Sequence, residues 1–543
     1  MDFKILSRVL LLCFLFSSTL ISAVPKDISF FDNKPRGLTK DFYIYRYLQE
    51  PTTTSKEAWS LLEQTSRMSM KLFHVYANKL DEPEIKKVSQ CLKMKLKPLL
   101  QSDDECLSIK FSPYLATLLN KDELKKVKKR LEKYDFSKSL HVIYSNDPFK
   151  AMTAGNADLF FDIFNGVGTK YRTKFLDHEI SKNKIKELEK SWKINSTIKY
   201  VVTGRKLKNF NKSLIHVDRF SKTLSHESLF FLGLNALQLR YNKLAMAFFD
   251  EAYKKAYYRM DKDKVLFWQF LISKDDKYKK AIQESFDMNI YTLLSGIKNK
   301  RIMIAKAWEQ HPTYDEKNPF GWTNLLRESS GKTPIELEKM AQTYLYGSTL
   351  PHYSYLMEKA SEYKDHYFPI PYRQYLKNTD KQRIALIMAI ARQESRLVPS
   401  ALSHSYALGM MQFMPFLATA IAKEQKIDNF DLDDMFNPKT ALKFANIHLD
   451  WLERSLYHPL FIAYAYNGGI GFTKRLIQSG TFEKGAYEPF LSMELVHYDE
   501  SRKYGKKVLA NYVTYMWILG EPVSIYELFE VLTEPSKTDR FRD

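Results

Sequence analysis

Apolar residues run without a break from Ile384 to Ala391, and the next five positions, Arg392-Gln393-Glu394-Ser395-Arg396, are all polar. A helix that is apolar on every side is a buried helix, so this pattern predicts a core helix whose end carries Glu394 half into the interior. Burial and the negative end of a helix dipole both raise a carboxyl pKa. A Glu that keeps its proton near neutral pH is what a general acid requires. The competing reading is a solvated surface charge, the usual environment of a Glu.

Elsewhere the pattern is helical as well, and the chain reads as mainly α. From Val24 to about Gly321 it is rich in Lys and Glu, poor in glycine and periodic at helical spacing. Leu229 to Ala256 reads as an antiparallel helix pair broken at Tyr241-Asn242, with Ala245, Phe248, Phe249 and Ala252 on one stripe. That unit looks like a tetratricopeptide repeat without further convincing copies, which predicts an irregular helical superhelix over 24–321. Turn-rich text at His311-Pro312 to Trp322 and at Phe368-Pro369-Ile370-Pro371 bounds a short helical linker domain, 322–371. A C-terminal domain, 372–543, follows. Three domains suit a chain of 543 residues.

Met1 to Ala23 has Lys4 and Arg8 before an apolar stretch and a small-residue end at Ile21-Ser22-Ala23. This is the pattern of a signal peptide and is short for a membrane span. The expectation is an exported, periplasmic protein that is not integral to the membrane. Cys13 lies inside the apolar stretch with no small residues before it, which argues against lipid attachment. Beyond the presequence are Cys91 and Cys106, which in an oxidising compartment are either a disulfide or two unlinked thiols.

The formal charge is +20, and removing the presequence, with Lys4 and Arg8 against Asp2, leaves +19. A global excess of this size attracts polyanions and anionic surfaces, so an anionic polymer or a membrane surface is a fitting partner. Nucleic acid is the rival, and export argues against it. The sequence has no zinc-ligand cluster, phosphate-cradling loop or dinucleotide fingerprint, so no cofactor or metal is expected. Asp431, Asp433 and Asp434 lack the loop glycine and spaced Glu of a calcium hand. Asn437-Pro438 beyond them reads as a helix cap with proline in the first turn.

Three motifs follow Glu394: Gly409-Met410-Met411-Gln412-Phe413-Met414-Pro415, Ala465-Tyr466-Asn467-Gly468-Gly469-Ile470-Gly471, and the segment from Glu494 to Tyr515. Gly409 suits a turn or a close approach to a ligand, and Gln412 offers an amide to sugar hydroxyls. Met410, Met411 and Met414 suit a core or a cleft wall, Tyr466 a sugar face or a bond to Glu394, and Asn467-Gly468-Gly469 a turn. Taken in order, and with "AIARQES" before them, these motifs resemble the lytic transglycosylases of the soluble, superhelical type, whose catalytic domain is lysozyme-like. The resemblance covers roughly Tyr372 to Leu519. It implies that Glu394 is the single catalytic acid/base, that Ser403, Gln412 and Met414 line a sugar-binding groove, that Tyr466 and Asn467 flank the acid, and that Glu494 is a further groove carboxylate. The chain departs from the family at Tyr406-Ala407, where a Gly-Ala pair is usual, and at Val496-His497-Tyr498, where Ile-Pro-Phe is typical. The first change is expected to narrow the groove and the second to re-aim Glu494.

The activity so implied is cleavage of the β-1,4 bond between N-acetylmuramic acid and N-acetylglucosamine in peptidoglycan, without water and with a 1,6-anhydro product. Two other readings stand beside it. A hydrolytic muramidase needs a second carboxylate, for which Glu494 is the nearest candidate. A non-catalytic peptidoglycan-binding scaffold would dispense with Glu394, which is present.

Overall fold

The computed structural model describes residues 25, 27–134, 137–296, 301–304 and 308–542. The expected signal peptide lies outside them. The described residues are mainly α-helical, with one pair of four-residue strands. No helix among them is long and apolar enough to cross a membrane.

Toward the N-terminus short helices follow one another and pack side by side, most of them started by a side-chain cap. In helix α1, Leu38–Tyr47, most residues are buried. The helices Pro83–Lys93 and Asp104–Lys110 are joined by a disulfide between Cys91 and Cys106, whose Cα atoms lie 5.1 Å apart. The expected helix pair is α2, His226–Gln238, and α3, Asn242–Lys255. Its predicted stripe of Ala245, Phe248, Phe249 and Ala252 is buried. Helices α4, Arg259–Ser273, and α5, Ile290–Leu294, carry the wall onward to the C-terminal part, where Phe267 packs edge-on against Phe490 at 4.9 Å.

The turn expected at Phe368-Pro369 is instead a strand. β1, Arg301–Ile304, pairs in parallel with β2, His366–Pro369, in the register Arg301 to His366. Tyr367 and Phe368 are buried there, so apolar burial outweighs the turn signal of the prolines. Between the strands lies a smaller, separate core of Leu325, Leu337, Ala341, Leu356 and Ala360, to which helix α6, Leu350–Ala360, contributes.

The apolar run 384–391 is buried along its whole length in helix α7, Lys381–Ser395, which Asp380 caps by accepting the Arg383 N–H. The helix does not stop with the apolar run; it continues one turn to Ser395 and ends with Arg396 in the left-handed region. Helix α9, Asp499–Ile518, packs against both α7 and helix α8, Pro459–Gly468. A Cβ on Gly505 would meet the Tyr464 ring at 2.3 Å, so this glycine lets α9 approach α8 closely enough to present Tyr504 to α7.

The N-terminal helix also reaches the C-terminal part. Arg46 on α1 pairs with Asp431 at 2.8 Å and Asp433 at 2.6 Å, and Tyr43 donates to Asp433 at 3.0 Å. Asp431 and Asp433 are therefore the seat of an arginine, while Asp434 accepts the Asp431 N–H at 2.9 Å. Asn437 caps the next helix, Pro438–Glu453, with proline at its first position.

Candidate active site

Glu394 sits in the last turn of α7 and is half-buried. Tyr504 on α9 donates a hydrogen bond to its Oε1 at 2.7 Å. Burial pushes the carboxyl up to about 7, the Tyr504 bond opposes that rise, and the charge of Glu500 adds to it. Glu500 and Tyr504 are four residues apart on one helix, and so share a face. The motif reading passes over both, although that spacing was visible in the segment after Glu494.

The loop after α7 is fixed to it by Ser395, whose hydroxyl donates to the Met410 carbonyl at 2.8 Å. Gly409 has φ +73°, and a Cβ there would meet the Met435 carbonyl oxygen at 2.1 Å; only glycine fits. Gln412 spends its amide hydrogens on the carbonyls of Ala401 at 3.1 Å and Gly409 at 2.8 Å, which leaves its carbonyl oxygen for a ligand. Ser403 accepts the Ala407 N–H at 2.9 Å and closes a turn. Met410 and Met411 are fully buried core residues, whereas Met414 is half-buried before helix Pro415–Glu424.

Tyr406 does not narrow a groove. It is 2 % exposed and its ring packs on Phe42 at 5.5 Å and Tyr45 at 5.2 Å, both on α1. Its φ is +63°, a conformation natural to glycine, and the packing on α1 offsets the cost of roughly 1–2 kcal/mol for a side chain in that region.

On α8, Tyr466 donates to the Met411 carbonyl at 2.8 Å rather than to Glu394. Burial, then the charge of Glu394, holds its phenol well above the ordinary range, so it stands beside the acid as a neutral wall. Asn467 donates to Glu500 at 3.1 Å and accepts from Ser501 at 2.7 Å. It therefore orients the carboxylate whose charge acts on Glu394.

Glu494 is placed differently from the expectation. It is 3 % exposed, pairs with Lys506 at 2.7 Å and accepts from the Tyr291 hydroxyl on α5. Burial alone would raise its pKa, but the charges of Lys506 and Lys264 and the hydrogen bonds hold it low. A charge buried with two partners braces α9 against α5 and does not face a groove.

Residues 372–487 match the family described as transglycosylase SLT domain. The soluble lytic murein transglycosylase of Escherichia coli K12 is 26% identical over 214 residues, and that of Salmonella typhimurium is 26% identical over 206 residues. These alignments take in 38% and 37% of this chain, and the chain spans about a third of the length of these curated relatives, 33% and 31%. Among solved structures, the 70 kDa soluble lytic transglycosylase of Escherichia coli superposes with a TM-score of 0.45 at 16% identity, over 92% of this chain and 88% of that one. The segment that holds Glu394, its loop and Tyr466 thus matches the transglycosylase SLT domain, in a chain similar to the soluble lytic murein transglycosylases.

Proposed function

We propose that this protein is a peptidoglycan lytic transglycosylase in which Glu394 is the sole acid and base. The observation that carries the reading is a glutamate at the end of a buried helix, hydrogen-bonded by Tyr504 and pushed up to about 7 by burial, within a matched transglycosylase SLT domain. At neutral pH a large share of such a group keeps its proton. Glu394 donates that proton to the oxygen between N-acetylmuramic acid and N-acetylglucosamine as the bond to C1 breaks. The substrate's own acetamido group stabilises the cationic carbon. The carboxylate then takes the proton of the muramoyl C6 hydroxyl, and the C6 oxygen closes on C1 to give a 1,6-anhydro end. Closure within one sugar is favoured by effective molarity.

Ser403, Gln412, Met414, Tyr466 and Asn467 are proposed to bound the glycan site, with the Gln412 carbonyl oxygen accepting from the sugar. Glu494 is left out of this set because Lys506 and Tyr291 occupy it. The same engagement removes it as the second carboxylate of a muramidase. The division at 322 and 372, the periplasmic location and the role of the basic N-terminal region in holding glycan strands belong to this proposal.

The test is release of soluble muropeptides from purified sacculi. Wild-type protein is expected to release them, and Glu394→Gln to do so at least ~10²-fold more slowly with its fold unchanged. Release by Glu394→Gln at the wild-type rate would remove Glu394 from the reaction.

A further inference from the structure

Two arginines bracket Glu394 in sequence, yet neither pairs with it. On a helix, Arg392 lies about 200° around the axis from Glu394, while Arg396 is the left-handed residue that closes the helix. Both turn toward α6. Arg392 Nη2 donates to Glu358 Oε1 at 2.5 Å, and Arg396 Nη1 meets the other oxygen of the same carboxylate. The Tyr367 N–H donates to Glu358 at 3.1 Å, and Arg392 Nε donates to the Tyr367 carbonyl at 3.1 Å. Phe368 lies under the Arg392 guanidinium at 4.3 Å and Tyr363 under that of Arg396 at 5.1 Å. The Glu358 side chain is 5 % exposed.

We infer that Glu358, on a helix outside the matched domain, is a positioning residue for the acid: it draws both flanking guanidiniums to the far side of α7 and halves their charge, so that Glu394 keeps its proton. This deepens the reading of Glu394 given above and rests on it. Groups that face Glu394 are Tyr504 and Glu500 on α9 and Tyr466 on α8. Those that face the clamp are Asp287, His366, Tyr515, Lys507 and Tyr355. None of these takes the place of Glu358, whose carboxylate alone touches both guanidiniums among the described contacts.

With Glu358 neutral, the clamp gains one uncompensated positive charge across the width of a helix, about 10 Å. At an intermediate dielectric this lowers a part-buried carboxyl by roughly half to one pKa unit. The experiment is the pH dependence of kcat/KM on sacculi for the full chain and for Glu358→Gln, Glu358→Asp and Arg396→Gln. A general acid loses activity as pH rises through its pKa, so the alkaline limb reports Glu394. Glu358→Gln is expected to move that limb down by roughly half to one unit, Glu358→Asp to restore it, and Arg396→Gln, which removes a positive charge, to move it up. A uniform loss of rate with an unmoved limb would mean that Glu358 is only structural and would overturn the inference. If Glu358→Gln fails to fold, Arg396→Gln decides, since its side chain is 40 % exposed and its loss is tolerable; an unmoved limb in that variant also overturns the inference. Full activity in Glu394→Gln would instead refute the reading of the acid itself.

Discussion

Replacing Glu394 by Gln is expected to stabilise the protein above neutral pH while abolishing its activity. In the unfolded chain a Glu ionises near its ordinary 4.5, whereas in the fold Glu394 ionises at about 7. Below pH 4.5 both states hold the proton and the group is neutral toward stability. Between pH 4.5 and 7 the unfolded chain releases the proton and the folded chain does not, so stability falls as pH rises; above 7 the loss is complete. The difference between 4.5 and about 7 sets a ceiling of ~3.4 kcal/mol at 1.36 kcal/mol per unit. Because the side chain is only half-buried, ~1–3 kcal/mol is the realistic gain when glutamine, which keeps an acceptor for Tyr504, removes the ionisation. Thermal melting of both proteins from pH 4 to 9 is the assay. Their Tm values should coincide near pH 4 and separate to a plateau above pH 7, by ~1 °C for each kcal/mol in a chain of this length, because the unfolding entropy grows with residue number. A difference that does not depend on pH, or a less stable variant at pH 8, would refute the account of how Glu394 is held.

Tyr504→Phe removes the bond that favours the carboxylate, so Glu394 should titrate about one unit higher and the alkaline limb of the pH-rate profile should move up with it; a downward move would contradict the assignment. Lys506→Met leaves the Glu494 charge buried without its cation and should cost about 3–5 kcal/mol in denaturant unfolding, most of it recovered when Glu494→Gln is added. Gly409→Ala drives a Cβ into the Met435 carbonyl at 2.1 Å with φ +73°, and should cost at least ~2 kcal/mol and most of the activity, whereas Gly469→Ala, with open space at its Cβ, should cost less.

The helix that carries Glu394 was legible because an eight-residue apolar run admits one environment, and the helix pair at 226–255 because its stripe is periodic. What joins distant segments was not. Tyr504 bonds Glu394 across 110 residues, and Tyr291 meets Glu494 across 203; neither contact leaves a trace in local spacing. Tyr406 occupies a glycine conformation only because α1, at the other end of the chain, packs on its ring, and that tertiary contact overrides local preference. The paired strands are four residues each, too short to declare a period, and the proline that ends the second argues for a turn until a partner is present. Glu494 reads as a groove residue from its motif, but the lysine twelve positions later on α9 claims it.

The central claim is that the cleaved sugar closes on itself without water. Digestion of purified sacculi in water enriched in ¹⁸O, followed by mass spectrometry of the released muropeptides, tests it directly. The expected products are lighter than hydrolysis products by one water, carry no ¹⁸O at the muramoyl C1 and lack a reducing end. Reducing ends labelled with ¹⁸O would contradict the claim and assign the protein to hydrolysis, with Glu500, held beside Glu394 by Asn467, as the carboxylate that positions the water.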